Sequence, residues 1–144
     1  GDYEAAQKLL QETLEKRRQV LPGRHSDIAQ SLNNIGILCT TQGNLSQAEE
    51  YLIEALAIRR EVFPALHPDI AQALNNLAEL YKAMGLDEQA TPLLIEALEI
   101  RRQALPAFHP DIALSLNNLG INYFAQERVS EAEPLLYEAD QLWR

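Results

Sequence analysis

The sequence predicts an all-α protein, a stack of antiparallel helix pairs with seven helices in 144 residues. Two observations carry this prediction. The chain repeats itself every 42 residues, and each repeat holds two segments whose apolar residues fall at the three- and four-residue spacing of one helix face. A single helix pair buries only part of its apolar surface, so the pairs must stack on their neighbours.

The repeat is visible in identical residues that stand 42 positions apart. They are His25, His67 and His109, the Asn-Asn pairs that begin at Asn33, Asn75 and Asn117, and Ala48, Ala90 and Ala132. The alignment gives a single solenoid over residues 1–144, with residues 1–21 as the second helix of a preceding repeat and repeats at 26–62, 68–104 and 110–144. Because the chain begins in mid-repeat, we expect it to be a fragment of a longer array.

Each repeat carries its own signals for where helices begin and end. The first helix of a repeat (helix A) begins with Pro68 in the second repeat and Pro110 in the third. Proline is tolerated there because the N–H group that it lacks would have no hydrogen-bond partner within the helix. Gly43 and Gly85 occupy the turn to the second helix (helix B). Pro64 ends helix B, since proline interrupts the helical hydrogen bonds. These signals predict helix A at 26–41 and helix B at 45–62 in the first repeat.

Charge and composition exclude several classes of function. The 12 Lys and Arg residues against 21 Asp and Glu residues give a net charge of −9, which disfavours nucleic acid and anionic membranes as partners. The single cysteine, Cys39, lies in an apolar helical pattern and predicts a buried side chain in a reducing compartment. We therefore predict a cytoplasmic protein.

One helix pair illustrates the resemblance of the sequence to a known family. Its spacing of apolar and small residues follows Leu74, Leu77-Ala78, Tyr81, Ala90, Leu94 and Ala97. This pattern resembles the tetratricopeptide repeat, and the 42-residue period with His-Pro-Asp-Ile-Ala and Leu-Asn-Asn-Leu resembles its kinesin light chain subclass. The resemblance implies a right-handed solenoid whose helices A line a concave groove. It also implies a protein-binding scaffold within a larger multidomain protein.

The resemblance places a set of partner-binding candidates on the groove side of helices A. They are Gln30, Asn33, Ile37 and Thr40 in the first repeat, Gln72, Asn75, Glu79 and Lys82 in the second, and Leu114, Asn117, Ile121 and Phe124 in the third. The asparagines predict hydrogen bonds to a peptide backbone, and the variable positions predict sequence preference. Alternatively, one asparagine of each pair fixes the stacking of repeats. Lys82 is the only positive charge in this set, which argues against an acidic peptide.

The sequence gives no sign of catalysis, of a cofactor or of a metal site. The three histidines recur once per repeat, and packed helices lie about 10 Å apart, so the three cannot share one metal ion. Cys39 lacks a histidine or aspartate at a matching position that would make it a nucleophile. We therefore predict a non-enzymatic interaction module that binds a peptide or protein. The alternative is a structural or regulatory module that associates with itself through its end helices.

Overall fold

The computed structural model describes residues 2–21 and 23–144. Over this part of the chain there are seven α-helices and no strand, which confirms the all-α prediction. The helices are α1 (Asp2–Val20), α2 (Ser26–Gln42), α3 (Leu45–Val62), α4 (Pro68–Ala83), α5 (Asp87–Ala104), α6 (Pro110–Ala125) and α7 (Val129–Trp143). The predicted start of the first helix at Gly1 lies outside the described residues.

The helices form two compact units, Gly1–Ala65 (unit 1) and Leu66–Arg144 (unit 2). In unit 1, α2 packs against both α1 and α3. In unit 2, α4 packs against α5, α5 against α6 and α6 against α7. Within each unit, every helix therefore packs on the next helix along the chain, as in other repeat proteins. The division into one solenoid with repeats at 26–62, 68–104 and 110–144 stays a prediction.

Helices A (α2, α4 and α6) begin at a histidine. The Nδ1 atom of His25 accepts a hydrogen bond from the backbone N–H of Asp27 at 3.0 Å, and His67 and His109 do the same for Asp69 and Asp111 at 3.1 Å. Each histidine is thus an N-cap that satisfies one of the free N–H groups of a helix start. This arrangement explains the regular spacing of the histidines without a metal ion.

The turns from helix A to helix B need a residue in the left-handed conformation. Gly43 with φ 82° and Gly85 with φ 75° provide it, as predicted. In the third repeat the same turn position is Glu127, with φ 61°. A side chain makes this backbone conformation unfavourable by about 1–2 kcal/mol. The third turn therefore carries backbone strain that the glycine turns avoid.

Small residues let helices A and B approach closely inside a repeat. A Cβ atom added at Gly36 of α2 would lie 2.5 Å from the Leu52 side chain of α3, and one at Gly120 of α6 would lie 2.7 Å from Leu136 of α7. Ala48 and Ala132 lie beside these contacts, and both are fully buried, as is the equivalent Ala90. In unit 2 the core is made of Ala78, Ala90, Leu94, Leu98, Ile112, Leu116, Leu119 and Ala139. These contacts fix the spacing of the helices that present the candidate site.

Candidate interaction site

The base of the candidate site in unit 2 is a buried arginine. Arg101, near the end of α5, is 6% exposed. Its Nη1 atom donates to the Oγ atom of Ser115 at 2.7 Å and to the carbonyl oxygen of Asp111 at 3.3 Å, both on α6. In unit 1, Nη1 of Arg17 makes the same two bonds, to the Asp27 carbonyl oxygen and Ser31 Oγ, at 2.8 Å each. Arg17 and Arg101 thus each link a helix B to the next helix A within their own unit.

Arg101 also holds the amide of Asn75. With the Asn75 amide oriented so that its oxygen faces the guanidinium, this oxygen accepts from Nη1 at 2.6 Å and from Nη2 at 3.2 Å. Burial lowers the pKa of Arg101, and the nearby carboxylate of Asp111 acts in the opposite direction. The guanidinium stays charged because arginine does not lose its proton in proteins. Arg101 therefore joins three helices, α4, α5 and α6.

An open depression of about 490 Å³ lies between α4 and α6, above this guanidinium. The residues that line it are Gln72, Asn75, Asn76 and Glu79 of α4, Arg101 of α5, and Asp111, Leu114 and Asn118 of α6. Four of these side chains are amides, and each amide carries both donor and acceptor atoms. The depression can therefore exchange hydrogen bonds with a peptide backbone, which has the same two groups.

The predicted residues of the second repeat divide into two groups. Gln72, Asn75 and Glu79 are brought together in the depression. Lys82 lies outside its lining and pairs with Glu79, with Nζ and Oε1 3.3 Å apart. Asn75 is only 7% exposed, so a ligand can reach little of its surface.

The predicted residues of α6 lie mostly beside the depression rather than in it. Ile121 and Phe124 are 45% and 61% exposed, and Asn117 is half-buried. In contrast, the second asparagine of its pair, Asn118, lines the depression, as does Asn76 on α4. In unit 2 the predicted asparagines Asn75 and Asn117 are thus each followed by a half-buried asparagine that lines the depression, Asn76 and Asn118.

In unit 1 the polar predicted residues are buried or half-buried, and Gln30 bonds to other residues of the same unit. Asn33 is 1% exposed. Gln30 donates from Nε2 to Asn34 Oδ1 at 2.9 Å, and its Oε1 accepts from Arg59 Nη2 at 2.9 Å. Ile37 is 43% exposed and Thr40 is half-buried. Only Ile37 of this group presents a large exposed surface.

The buried arginines were missed in the sequence. Lys82 is the only positive charge among the site residues predicted from the sequence, whereas the structure also brings the guanidinium of Arg101 into the lining of the depression. A signal was present: Ser31 and Ser115 are polar residues in otherwise apolar helix faces and stand 14 residues after Arg17 and Arg101.

Residues 2–21 and 23–144 hold no group of three or more His, Cys, Asp or Glu side chains placed to bind a metal ion. Among the same residues, no helix combines the length and the apolar character needed to span a bilayer.

Comparison with known proteins connects this geometry to a family. The sequence matches the tetratricopeptide repeat family over residues 1–61 and 69–141. The chain belongs to the tetratricopeptide repeat family. The TPR assignment predicted from the sequence is therefore confirmed, and repeats of this family generally mediate protein–protein interactions. No curated protein sequence matches the chain.

Solved structures show the same TPR fold. The BtubC (BKLC) protein of P. vanneervenii has a TM-score of 0.91 at 22% identity, covering 99% of this chain and 57% of its own. A kinesin light chain-type protein of Podosopora anserina with nearly identical TPR-like repeats has a TM-score of 0.82 at 25% identity, covering 99% of this chain and 67% of its own. The N-terminal domain of stress-induced protein-1 of C. elegans has a TM-score of 0.67 at 18% identity, covering 83% of this chain and 87% of its own. The chain thus spans little more than half of BtubC, and the kinesin light chain-like form of the fold is confirmed.

Proposed function

We propose that this TPR chain is a non-enzymatic scaffold that binds a peptide or partner protein along the exposed side of helices A. The observation that supports this most is the depression of unit 2, with its amide lining and its buried guanidinium. Asn76 and Asn118 are half-buried, which leaves part of each side chain open to a ligand. Asn75 and Arg101 hold the floor of the depression in place.

Hydrogen-bond chemistry favours a peptide backbone as the ligand group. Primary amides can donate and accept at once, so a row of them can pair with successive backbone groups of an extended segment whatever its side chains. Specificity then depends on the residues around the row, which differ between repeats: Ile37, Glu79 and Ile121 stand at equivalent positions. The net charge of −9 disfavours nucleic acid and anionic lipid as alternative ligands.

The buried asparagines set a limit on how this proposal is tested. Replacing Asn75 would remove the acceptor for two N–H groups of the buried Arg101 guanidinium, which would lower stability and obscure any effect on binding. Asn76 and Asn118 are better targets because they line the depression without being fully buried. The double variant Asn76→Ala/Asn118→Ala therefore tests the ligand surface itself.

The experiment selects peptides from a random displayed library on the native chain and measures their affinity for three proteins. These are the native chain, the double variant, and a control with Glu99→Ala and Gln103→Ala on the exposed surface of α5. The double variant loses two hydrogen bonds to the peptide, each worth about 1 kcal/mol, so it should bind the selected peptides at least roughly tenfold more weakly than the native chain does. Circular dichroism checks that all three proteins are folded.

The control should bind as the native chain does. Equal affinity for the native chain and the double variant would place the ligand elsewhere and contradict the proposal. Selection of no peptide at all, together with a mass that rises with protein concentration, would instead favour self-association.

A further inference from the structure

The exposed side of α6 differs from those of α2 and α4 at three equivalent positions. Leu114, Ile121 and Phe124 form what we call the α6 apolar stripe, and these side chains are 41%, 45% and 61% exposed. The equivalent residues are Gln30, Ile37 and Thr40 on α2, and Gln72, Glu79 and Lys82 on α4. Only α6 is apolar at all three positions. The stripe is about 15 Å long, because its ends are ten residues apart on one helix.

The third repeat also differs from the first repeat at the end of its helix B, α7. In the first repeat, Gln30 of helix A bonds to Arg59 of helix B. The equivalent positions in the third repeat are Leu114 and Trp143, so both members of the polar pair have become apolar. Trp143 is 60% exposed. The third repeat therefore presents apolar side chains where the first repeat has an internal hydrogen bond.

The end of α7 also lacks the arginine that links a helix B to the next helix A within each unit. Within each unit, a helix B joins the next helix A through an arginine, as Arg101 does with Ser115 and the Asp111 carbonyl oxygen. Trp143 stands at that arginine position. Tryptophan has one N–H donor where arginine has five, so it cannot make this set of bonds.

Acidic residues on both sides of the α6 apolar stripe indicate the charge that a complementary partner segment would carry. Asp111 lies three residues before the stripe and Glu127 three residues after it, and the Asp111 and Glu127 side chains are half-buried and exposed respectively. Unit 2 holds five Lys and Arg residues against twelve Asp and Glu residues, a net charge of −7. Arg101 is buried, and Arg128 is already paired with Glu131. A complementary partner thus carries positive charge on both sides of its apolar residues.

We infer that the α6 apolar stripe is a docking surface for a partner segment with large apolar side chains between Lys or Arg residues. This inference rests on the proposed function and names the chemistry of its ligand. An extended segment of about five residues spans the stripe at roughly 3.3 Å per residue, with alternate side chains facing α6.

The probe is a fluorescent peptide of about nine residues, with Leu at three alternate positions between two Arg residues. A matched peptide has Glu in place of both Arg residues. The protein variant Leu114→Gln/Ile121→Glu/Phe124→Lys gives α6 the residues that α4 already has, which supports its folding. Ile37→Glu makes the same kind of change at the equivalent position of unit 1 and serves as the control.

We expect the basic peptide to bind the native chain and the Ile37→Glu control alike, and the triple variant at least tenfold more weakly. The acidic peptide should bind the native chain at least tenfold more weakly than the basic one. Equal binding of both peptides, equal binding to the triple variant, or no binding of the basic peptide overturns the inference. So does a native dimer that the triple variant converts to a monomer, since a second copy would then cover the stripe.

This result can be separated from a failure of the proposed function. If library peptides of other chemistry bind the native chain but not the Asn76→Ala/Asn118→Ala variant, the scaffold function stands and only the stripe inference fails. If no peptide distinguishes any variant, both fail.

Discussion

Removing one oxygen atom at Ser115 tests whether the buried arginine link stabilises unit 2. Ser115 is 1% exposed, and its Oγ accepts from the charged Arg101 guanidinium at 2.7 Å. A hydrogen bond to a charged group contributes about 1.5–3 kcal/mol, and alanine is favoured over serine within a helix by about 0.5 kcal/mol. Ser115→Ala should therefore lower the free energy of unfolding by about 1–2.5 kcal/mol.

Two other serines provide the comparison for this prediction. Ser31 makes the same bond to Arg17, but Arg17 is only half-buried, so Ser31→Ala should lower stability by less than Ser115→Ala. Ser130 is exposed at the start of α7, and Ser130→Ala should change stability by no more than about 0.5 kcal/mol. The expected order of destabilisation is Ser115, then Ser31, then Ser130.

Urea unfolding followed by two signals measures the effect. Circular dichroism reports on all helices, and fluorescence reports on unit 2 alone because Trp143 is the single tryptophan. The double variant Arg101→Leu/Ser115→Ala completes a cycle whose coupling energy isolates the pair. A loss at Ser115 no larger than at Ser130, or a coupling energy near zero, would refute the reasoning that the link is energetically important.

Three further predictions follow from single residues. Glu127→Gly should raise the free energy of unfolding by about 1 kcal/mol, because glycine adopts φ 61° without steric cost. Gly85→Ala should lower the free energy of unfolding by a similar amount. A melting temperature that falls with Glu127→Gly would contradict this reasoning. Asn122 is buried with its Oδ1 atom unpaired, while its Nδ2 atom donates to the Asp87 carbonyl oxygen and to Thr91 Oγ1 of α5. Leu80 occupies the equivalent position of α4, so Asn122→Leu should stabilise unit 2 by about 1 kcal/mol in urea unfolding. A loss of stability would show that the two bonds to α5 contribute more than the unpaired oxygen costs. Burial raises the pKa of the Cys39 thiol, so a disulfide reagent should modify Cys39 at neutral pH at the rate of unfolding rather than at the rate of a free thiol; fast modification of the folded chain would count against a closed core.

The sequence predicted the helices well because their signals are local. The spacing of apolar residues, Pro68 and Pro110 at helix starts, and Gly43 and Gly85 in turns each act within a few residues of their own position. Once the helices of one repeat are recognised, the 42-residue period places the helices of the other repeats. The strained turn at Glu127 could not be predicted from its residue type, because the helices on either side impose a left-handed backbone conformation that glutamate disfavours.

The site was harder to predict because its geometry depends on neighbouring helices. Asn75 and Asn76 are adjacent, and a step of one residue turns a helix by about 100°, so both can lie near one exposed side. Which of them is covered depends on the helix that packs against them. Arg101 shows the same limit: its side chain turns inward because Ser115 and Asn75, on two other helices, accept its hydrogen bonds.

The links between helices described above join residues that are close in the chain. Arg101 reaches Ser115, 14 residues ahead, and Arg59 reaches Gln30, 29 residues before it. Closing such short loops has a small entropic cost, and topologies with local contacts fold fast. Each unit can therefore complete its own contacts while later parts of a polypeptide are still being synthesised on the ribosome. A protein assembled in this way exposes each new apolar helix face only briefly, which limits aggregation during its production.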